Sequence, residues 1–195
     1  MSRPARNDVS RTHIASVAAR LMAEDGLGDM ALAKRKAARQ LGLPESARLP
    51  DDAEVESELR LYLALYQGEA QPERLRRLRE AAVRAMTLLR PFRPYLTGAV
   101  LDGTAGEFSA IDLMLFADSA KDVEIFLLDH ALSFVSGELR NERAEARLQL
   151  SLPEADVNLF VFPARTERQH FRRRDGRIQE RLPLEGVQRL LTVET

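Results

Sequence analysis

The chain has 195 residues, with 29 Lys+Arg against 30 Asp+Glu, so its formal net charge is −1 and a polycation that coats nucleic acid is excluded. The absence of cysteine excludes disulfides, thiolate metal sites and cysteine nucleophiles, and three widely separated histidines do not suggest a zinc site. The hydrophobic fraction of 45% is that of a globular protein.

The first half of the chain is predicted to form four helices, because its apolar residues recur at helical spacing and are bounded by capping residues. These are a first helix ending at Gly26, a second over residues 30–41 capped by Asp29, a third capped by Asp51 or Asp52, and a fourth that begins at Pro72 and ends at Pro91 and Pro94.

The second half is predicted to alternate strands with a few helices. The strands are expected at residues 96–101, 111–116, 132–139, 144–152 and 157–162, with a hairpin of residues 169–174 and 177–182 around Asp175-Gly176. Helices are expected from the Ser119 cap to residue 129, and from Pro183 to residue 191. The strand at 111–116 is almost entirely apolar, which is typical of a buried strand.

These elements predict an α+β protein in which N-terminal helices precede a mixed β-sheet with flanking helices. We expect a helical region over residues 1–92 and an α/β domain over residues 93–195, divided where two prolines fall close together. The polar N-terminus and the lack of a long apolar run predict a cytoplasmic protein without membrane association.

A turn of small residues between two predicted strands is the most informative segment. Gly103, Ala105 and Gly106 leave a backbone that a phosphate could approach closely, and Thr104 offers a hydroxyl at that turn. Ser109 is a further candidate phosphate-binding residue. Asp112 stands at the head of the next strand, where a Mg²⁺ ligand could face such a phosphate. A backbone cradle beside carboxylates is the arrangement that phosphoryl chemistry needs.

This segment resembles the polymerase-β-like nucleotidyltransferase superfamily over roughly residues 80–165. In that family a strand ends in Gly-Gly or Gly-Ser, and about ten residues later an Asp-x-Asp pair lies on the next strand. Gly103-Thr104 matches the first feature, and residues 109–113 match the typical Ser-Asp-Ile-Asp-Leu. The resemblance implies a third carboxylate on a later strand, for which Asp156 is the natural candidate and Asn158 a weaker one.

The sequence departs from the family at Ala110, which stands where the first metal-binding Asp is expected. We therefore expect a non-catalytic member, with no cofactor, that binds a nucleotide, another phosphate compound or a protein partner. The alternative is an active Mg²⁺-dependent nucleotidyltransferase in which Asp112 and Asp156 hold the metal and Gly103-Thr104 contacts the triphosphate.

Residues 14–43 resemble the opening helix pair of tetracycline-repressor-type DNA-binding domains. Lys34, Arg35, Lys36 and Arg39 on its second helix could neutralise phosphates, so a nucleic-acid-binding regulator is the third hypothesis. A recognition helix should follow after a short turn, but the acidic stretch 51–58 comes instead. A helical subdomain with a solvated basic face is the alternative.

Two further basic features have structural and functional interpretations. Arg172, Arg173 and Arg174 on the predicted hairpin lie beside Phe171, an arrangement that could grip a phosphate or could be an ordinary strand face. Charges also alternate along the chain: residues 1–50 have nine basic and five acidic residues, whereas residues 96–162 have four and twelve. The basic segments are large enough to pair with acidic ones within the protein.

Overall fold

The computed structural model of the chain describes residues 4–66, 70–139, 143–173 and 175–193. The fold is α+β, as the sequence predicts. The helices of the described residues are α1 (Pro4–Glu24), α2 (Met30–Gln40), α3 (Asp52–Tyr66), α4 (Ala70–Leu88), α5 (Gly98–Asp102), α6 (Ala120–Asp129) and α7 (Leu184–Val193). The strands are β1 (Tyr95–Thr97), β2 (Ile111–Ala117), β3 (Phe134–Ser136), β4 (Ala146–Ser151), β5 (Asp156–Pro163) and β6 (Leu182–Pro183).

The chain divides into two compact units. The first comprises Met1–Arg74 and Thr104–Ser109, and the second comprises Leu75–Gly103 and Ala110–Thr195. Most of α4 therefore belongs to the second unit. The expected boundary between a helical region and an α/β domain at residues 92 and 93 stays a prediction.

The first unit is built from α1, α2, α3 and the first turn of α4. Small and aliphatic side chains form its core, among them Ile14, Ala18, Ala33, Ala37 and Val55. α2 begins at the predicted cap, where Asp29 Oδ1 accepts a hydrogen bond of 3.1 Å from the Leu32 amide.

The start of α3 is a capping box. The Glu54 amide donates to Asp51 Oδ1 at 2.8 Å, and the Asp51 amide donates to Glu54 Oε2 at 2.7 Å. This settles the choice between Asp51 and Asp52 left open by the sequence, since Asp52 is the first helical residue.

The second unit contains a six-stranded mixed sheet in the order β3-β4-β5-β2-β1-β6. β2 lies between β1, to which it is antiparallel, and β5, to which it is parallel. The chain returns from β2 to β5 through α6, which contacts both strands, and through β3 and β4. Ser119 caps α6, as predicted, by accepting a hydrogen bond of 3.1 Å from the Lys121 amide.

Side chains alternate between the two faces of this sheet. One face of β2 and β5 is aliphatic and buried, and is formed by Ile111, Leu113, Leu115, Val157, Leu159 and Val161. The opposite face carries a second apolar cluster of Met114, Phe116, Ala144, Phe162 and Phe171. Nearer the amino ends of β2 and β5, the same face becomes polar.

The prediction of a strand over residues 96–101 is confirmed at residues 96 and 97 and wrong from Gly98 onward. The strand ends at Thr97, because Gly98 adopts a φ of +72° and turns the chain into the short helix α5. Val100 points into the core, and the buried Arg79 donates to the Val100 and Leu101 carbonyls at 3.1 and 3.3 Å. The apolar spacing that predicted a strand thus belongs to a strand end followed by one helical turn.

The other predicted strands and the last helix are confirmed with shifted ends, whereas the hairpin forms only in part. Its turn at Asp175-Gly176 is present, with Gly176 at a φ of +84°. In place of two predicted strands the described residues form an isolated bridge between Arg172 and Ile178. Phe171 is drawn into the apolar cluster instead of alternating along a strand.

No helix in the described ranges combines the length and the apolar character that a transmembrane segment requires.

Candidate functional site

A line of polar side chains crosses four strands of the second unit. Thr97 of β1 pairs with Asp112 of β2, Asp112 with Asn158 of β5, and Asn158 with Gln149 of β4. Since residues paired across strands point to the same face, these four side chains lie side by side, next to the apolar cluster. We call them the polar row.

Asp112 is the ionisable member of the polar row. It is partly buried, whereas every other residue of β2 is buried and apolar. Asn158 Nδ2 donates a hydrogen bond of 2.8 Å to Asp112 Oδ1. That bond orients the carboxylate on the sheet face, so Asn158, treated above as the weaker candidate, is the residue that contacts Asp112.

The end of β1 lies close to the Asp112 carboxylate. A Cβ atom added to Gly98 would lie 2.7 Å from Asp112 Oδ2, so the carboxylate would have to shift to admit a side chain. Its φ of +72° also favours glycine. Glycine therefore suits both the backbone turn and the approach to Asp112.

The environment of Asp112 disfavours its charged form. Burial raises the pKa of this carboxyl above its ordinary value, while the hydrogen bond from Asn158 and the positive charge of Arg147 act in the opposite direction. Ionisable groups with perturbed pKa values in otherwise apolar surroundings concentrate at functional sites.

Thr97, at the other end of the polar row, is buried and held by the segment that leads to β6. Its hydroxyl donates to the Glu180 carbonyl at 2.8 Å and accepts from Gln179 Nε2 at 3.1 Å. This end of the row is therefore satisfied by hydrogen bonds within the protein.

The two predicted metal ligands lie on the same face of the sheet but are not register partners. Asp156 lies two residues before Asn158 on β5, so its Cα is about 8 Å from that of Asp112 by standard strand spacing. It is exposed, and Gln149 Nε2 lies 3.4 Å from its Oδ2. Within the described ranges, no three His, Asp or Glu side chains group closely enough to hold a metal ion.

The predicted phosphate-binding turn is divided between the units. Gly103 ends α5 with a φ of +79°, whereas Thr104, Gly106 and Ser109 belong to the first unit. There the Gly106 amide donates to Ser109 Oγ at 2.8 Å, and the Ala105 carbonyl accepts from Gln71 Nε2 at 2.8 Å. These two hydrogen bonds hold the turn within the first unit, its phosphate-binding role stays a prediction, and the glycine beside Asp112 is Gly98.

The basic residues of α2 are also partly used within the first unit. Lys34 is 7% exposed and forms an ion pair with Asp52. Lys36 Nζ lies 2.9 Å from Asp25 Oδ2 at the surface. Arg35 and Arg39 are exposed. The four side chains therefore do not form one phosphate-binding face, because Lys34 points into the helical core.

The basic hairpin makes similar internal contacts within the second unit. Arg173 Nη2 lies 2.7 Å from Asp102 Oδ2, and Arg172 Nη1 donates to the Gly176 carbonyl at 2.6 Å. The third arginine, Arg174, lies outside the described residues.

Sequence analysis missed Gly98 and Arg147. A signal for Gly98 was present, because a glycine directly follows the three residues of β1. The apolar residues after it nevertheless favoured a longer strand. No protein-family model matches the chain, and no curated protein matches it either.

Proposed function

We propose that the second unit binds a phosphate-containing ligand of the nucleotide class at the polar row, and that it does so without nucleotidyl transfer. The observation that carries this proposal is Asp112: a carboxylate kept on an otherwise apolar strand, oriented by Asn158 and approached by a glycine backbone. Burying such a group is costly, so its place in the sheet favours a binding role over a structural one.

The resemblance to the polymerase-β-like nucleotidyltransferases supports the class of ligand. With β1 ending at Thr97, the small pair that follows the strand is Gly98-Ala99, and Ala110 comes twelve residues after Gly98. That spacing agrees with the family pattern at least as well as Gly103-Thr104 does. The small pair also lies beside β2, the strand that carries Asp112, since β1 and β2 are neighbours.

The residues present do not fit the two-metal site that the resemblance implies. Alanine stands at position 110, and the residue that contacts Asp112 from β5 is an asparagine, whose amide here donates to the carboxylate. A two-metal site needs several carboxylates to hold its ions. We therefore derive no catalytic step through Mg²⁺, and the active-enzyme and DNA-binding hypotheses stay predictions.

Calorimetric titration of ATP into the full chain, in buffer containing Mg²⁺, tests the proposal. We expect saturable binding whose affinity Asp112→Ala changes and Asp122→Ala, which removes an exposed carboxylate on α6, leaves unchanged. An absence of heat with the wild-type chain would reject the proposal.

Pyrophosphate release during prolonged incubation with Mg²⁺-ATP is the second measurement. We expect none above that of the buffer alone. Release that depends on Asp112 would replace the non-catalytic proposal with the enzyme hypothesis.

A further inference from the structure

Resting on the proposed function, we infer that Arg147 supplies the positive charge that holds the phosphate at the polar row, so that the ligand binds without a divalent cation. The site would then take phosphate esters as free anions. In the related enzymes, by contrast, the metal ions supply that charge.

Arg147 is placed on the correct face by strand register. It lies on β4 opposite Phe160, one pair away from the Gln149–Asn158 pair, and its Cζ is 5.9 Å from the Phe160 ring centroid. Gly137, just after β3, gives the side chain room, since a Cβ there would lie 3.2 Å from Arg147 Cδ. The Gly137 amide also donates to the Arg147 carbonyl at 2.8 Å.

The Arg147 guanidinium contacts the polar row. Its Nη2 donates to Asn158 Oδ1 at 3.2 Å, and among the described residues this is its one side-chain hydrogen bond. Its buried Nε has no hydrogen-bond partner in that part of the chain. A guanidinium presents five N–H donors in a planar fork that matches a phosphate, and the bond to Asn158 uses one of them.

The charges of the row are consistent with a ligand that arrives without a metal. Asn158 joins Asp112 to Arg147, because its amide nitrogen donates to the carboxylate and its amide oxygen accepts from the guanidinium. Asp112 and Arg147 sum to zero, and the exposed Asp156 on the same face brings the total to −1. A site with three carboxylates and no arginine would carry −3 and would repel a phosphate unless cations came between them. Ala110, Asn158 and Arg147 each make this face less negative than that of a three-carboxylate site.

Titration of the full chain with ATP in EDTA, and again with excess Mg²⁺, tests the inference, with adenosine as the phosphate-free probe. We expect ATP to bind in EDTA, adenosine not to bind detectably, and Mg²⁺ to change the affinity little. Arg147→Gln should weaken binding by about tenfold or more, the effect of losing a charge-assisted hydrogen bond. Arg168→Gln, which removes an exposed arginine elsewhere in the same unit, should not.

Asn158→Asp keeps the shape of the side chain and serves if Arg147→Gln does not fold, as judged by circular dichroism. Its added carboxylate would neutralise the guanidinium, so ATP affinity in EDTA should fall about tenfold. Unchanged affinity in this variant would overturn the inference. ATP binding by the wild type only when Mg²⁺ is present would overturn it too, while leaving the proposed function in place; no ATP binding under either condition would reject both.

Discussion

Gly98→Ala tests the close approach of the β1 end to Asp112. An alanine held at a φ near +72° costs about 1–2 kcal/mol in backbone strain. Its Cβ would also lie 2.7 Å from Asp112 Oδ2, so the carboxylate must move and its hydrogen bond from Asn158 is lost. Losing that bond to a partly buried charged group costs about 1–3 kcal/mol more. The free energy of unfolding should therefore fall by roughly 2–5 kcal/mol.

Gly103→Ala is the matched control. Gly103 has nearly the same backbone angle, a φ of +79°, but a Cβ added there meets no atom within 4 Å. This variant should show the strain alone, about 1–2 kcal/mol. Urea denaturation followed by circular dichroism gives the free energies of unfolding of both variants and of the wild type.

The same comparison in an Asp112→Ala background isolates the contact. With the carboxylate gone, the cost of Gly98→Ala should fall to that of Gly103→Ala, which is the non-additivity expected of residues in contact. If the two glycine variants differ by less than about 0.5 kcal/mol in the wild-type background, the contact with Asp112 does not constrain Gly98 and the reasoning fails.

Three further predictions use the same urea denaturation assay. Asp112→Asn should raise the free energy of unfolding at neutral pH, because burial raises the pKa of this carboxyl and so makes its charged form destabilising in the folded state. The gain should vanish as the pH falls through the folded pKa towards about 3.8, where the carboxyl is protonated in both states. A gain that persists in acid would contradict this. Lys34→Ala should lower the free energy of unfolding by about 1–3 kcal/mol, because it breaks a partly buried ion pair. Lys36→Ala breaks an exposed ion pair and should lower it by less than about 0.5 kcal/mol. Equal costs would contradict a structural role for Lys34. Arg79→Lys should lower the free energy of unfolding by about 1–2 kcal/mol, since an ammonium cannot reproduce two guanidinium hydrogen bonds to backbone carbonyls. Arg77→Lys, at an exposed position of the same helix, is the control. Equal costs for the two variants would refute this role of Arg79.

Local signals in the sequence predicted much of the fold. Asp29 and Ser119 cap their helices as expected, because a cap depends on residues two or three positions away. The apolar run of β2 likewise predicted a buried strand within one residue of its observed end. Such features need no knowledge of distant parts of the chain.

The errors arose where the decisive partner is distant in sequence or where backbone conformation decides. Nothing in the apolar spacing of residues 96–101 reveals that Gly98 has a positive φ, so a strand was predicted through it. Pairing between Asp112 and Asn158 depends on the register of strands 46 residues apart, and without that register Asp156 was the more natural candidate. Arg147 comes from a third strand, and its spacing from the motif predicts nothing.

The alternation of charge along the sequence takes on a meaning in these contacts. In the first unit the basic and acidic segments pair with each other, as in Arg11–Glu54 at 2.6 Å. Basic residues there support a helical core, so their number does not indicate a polyanionic partner.

The candidate site of the second unit differs from these ion pairs of the first unit. In the nucleotidyltransferases that the sequence resembles, carboxylates hold the metal, whereas alanine stands at position 110 here. Here the residue that contacts Asp112 is an amide whose oxygen accepts a hydrogen bond from a guanidinium, and that guanidinium keeps a buried nitrogen without a partner among the described residues. Under the proposed function the positive charge of the site belongs to the protein, and Asn158→Asp is the substitution that would offset it.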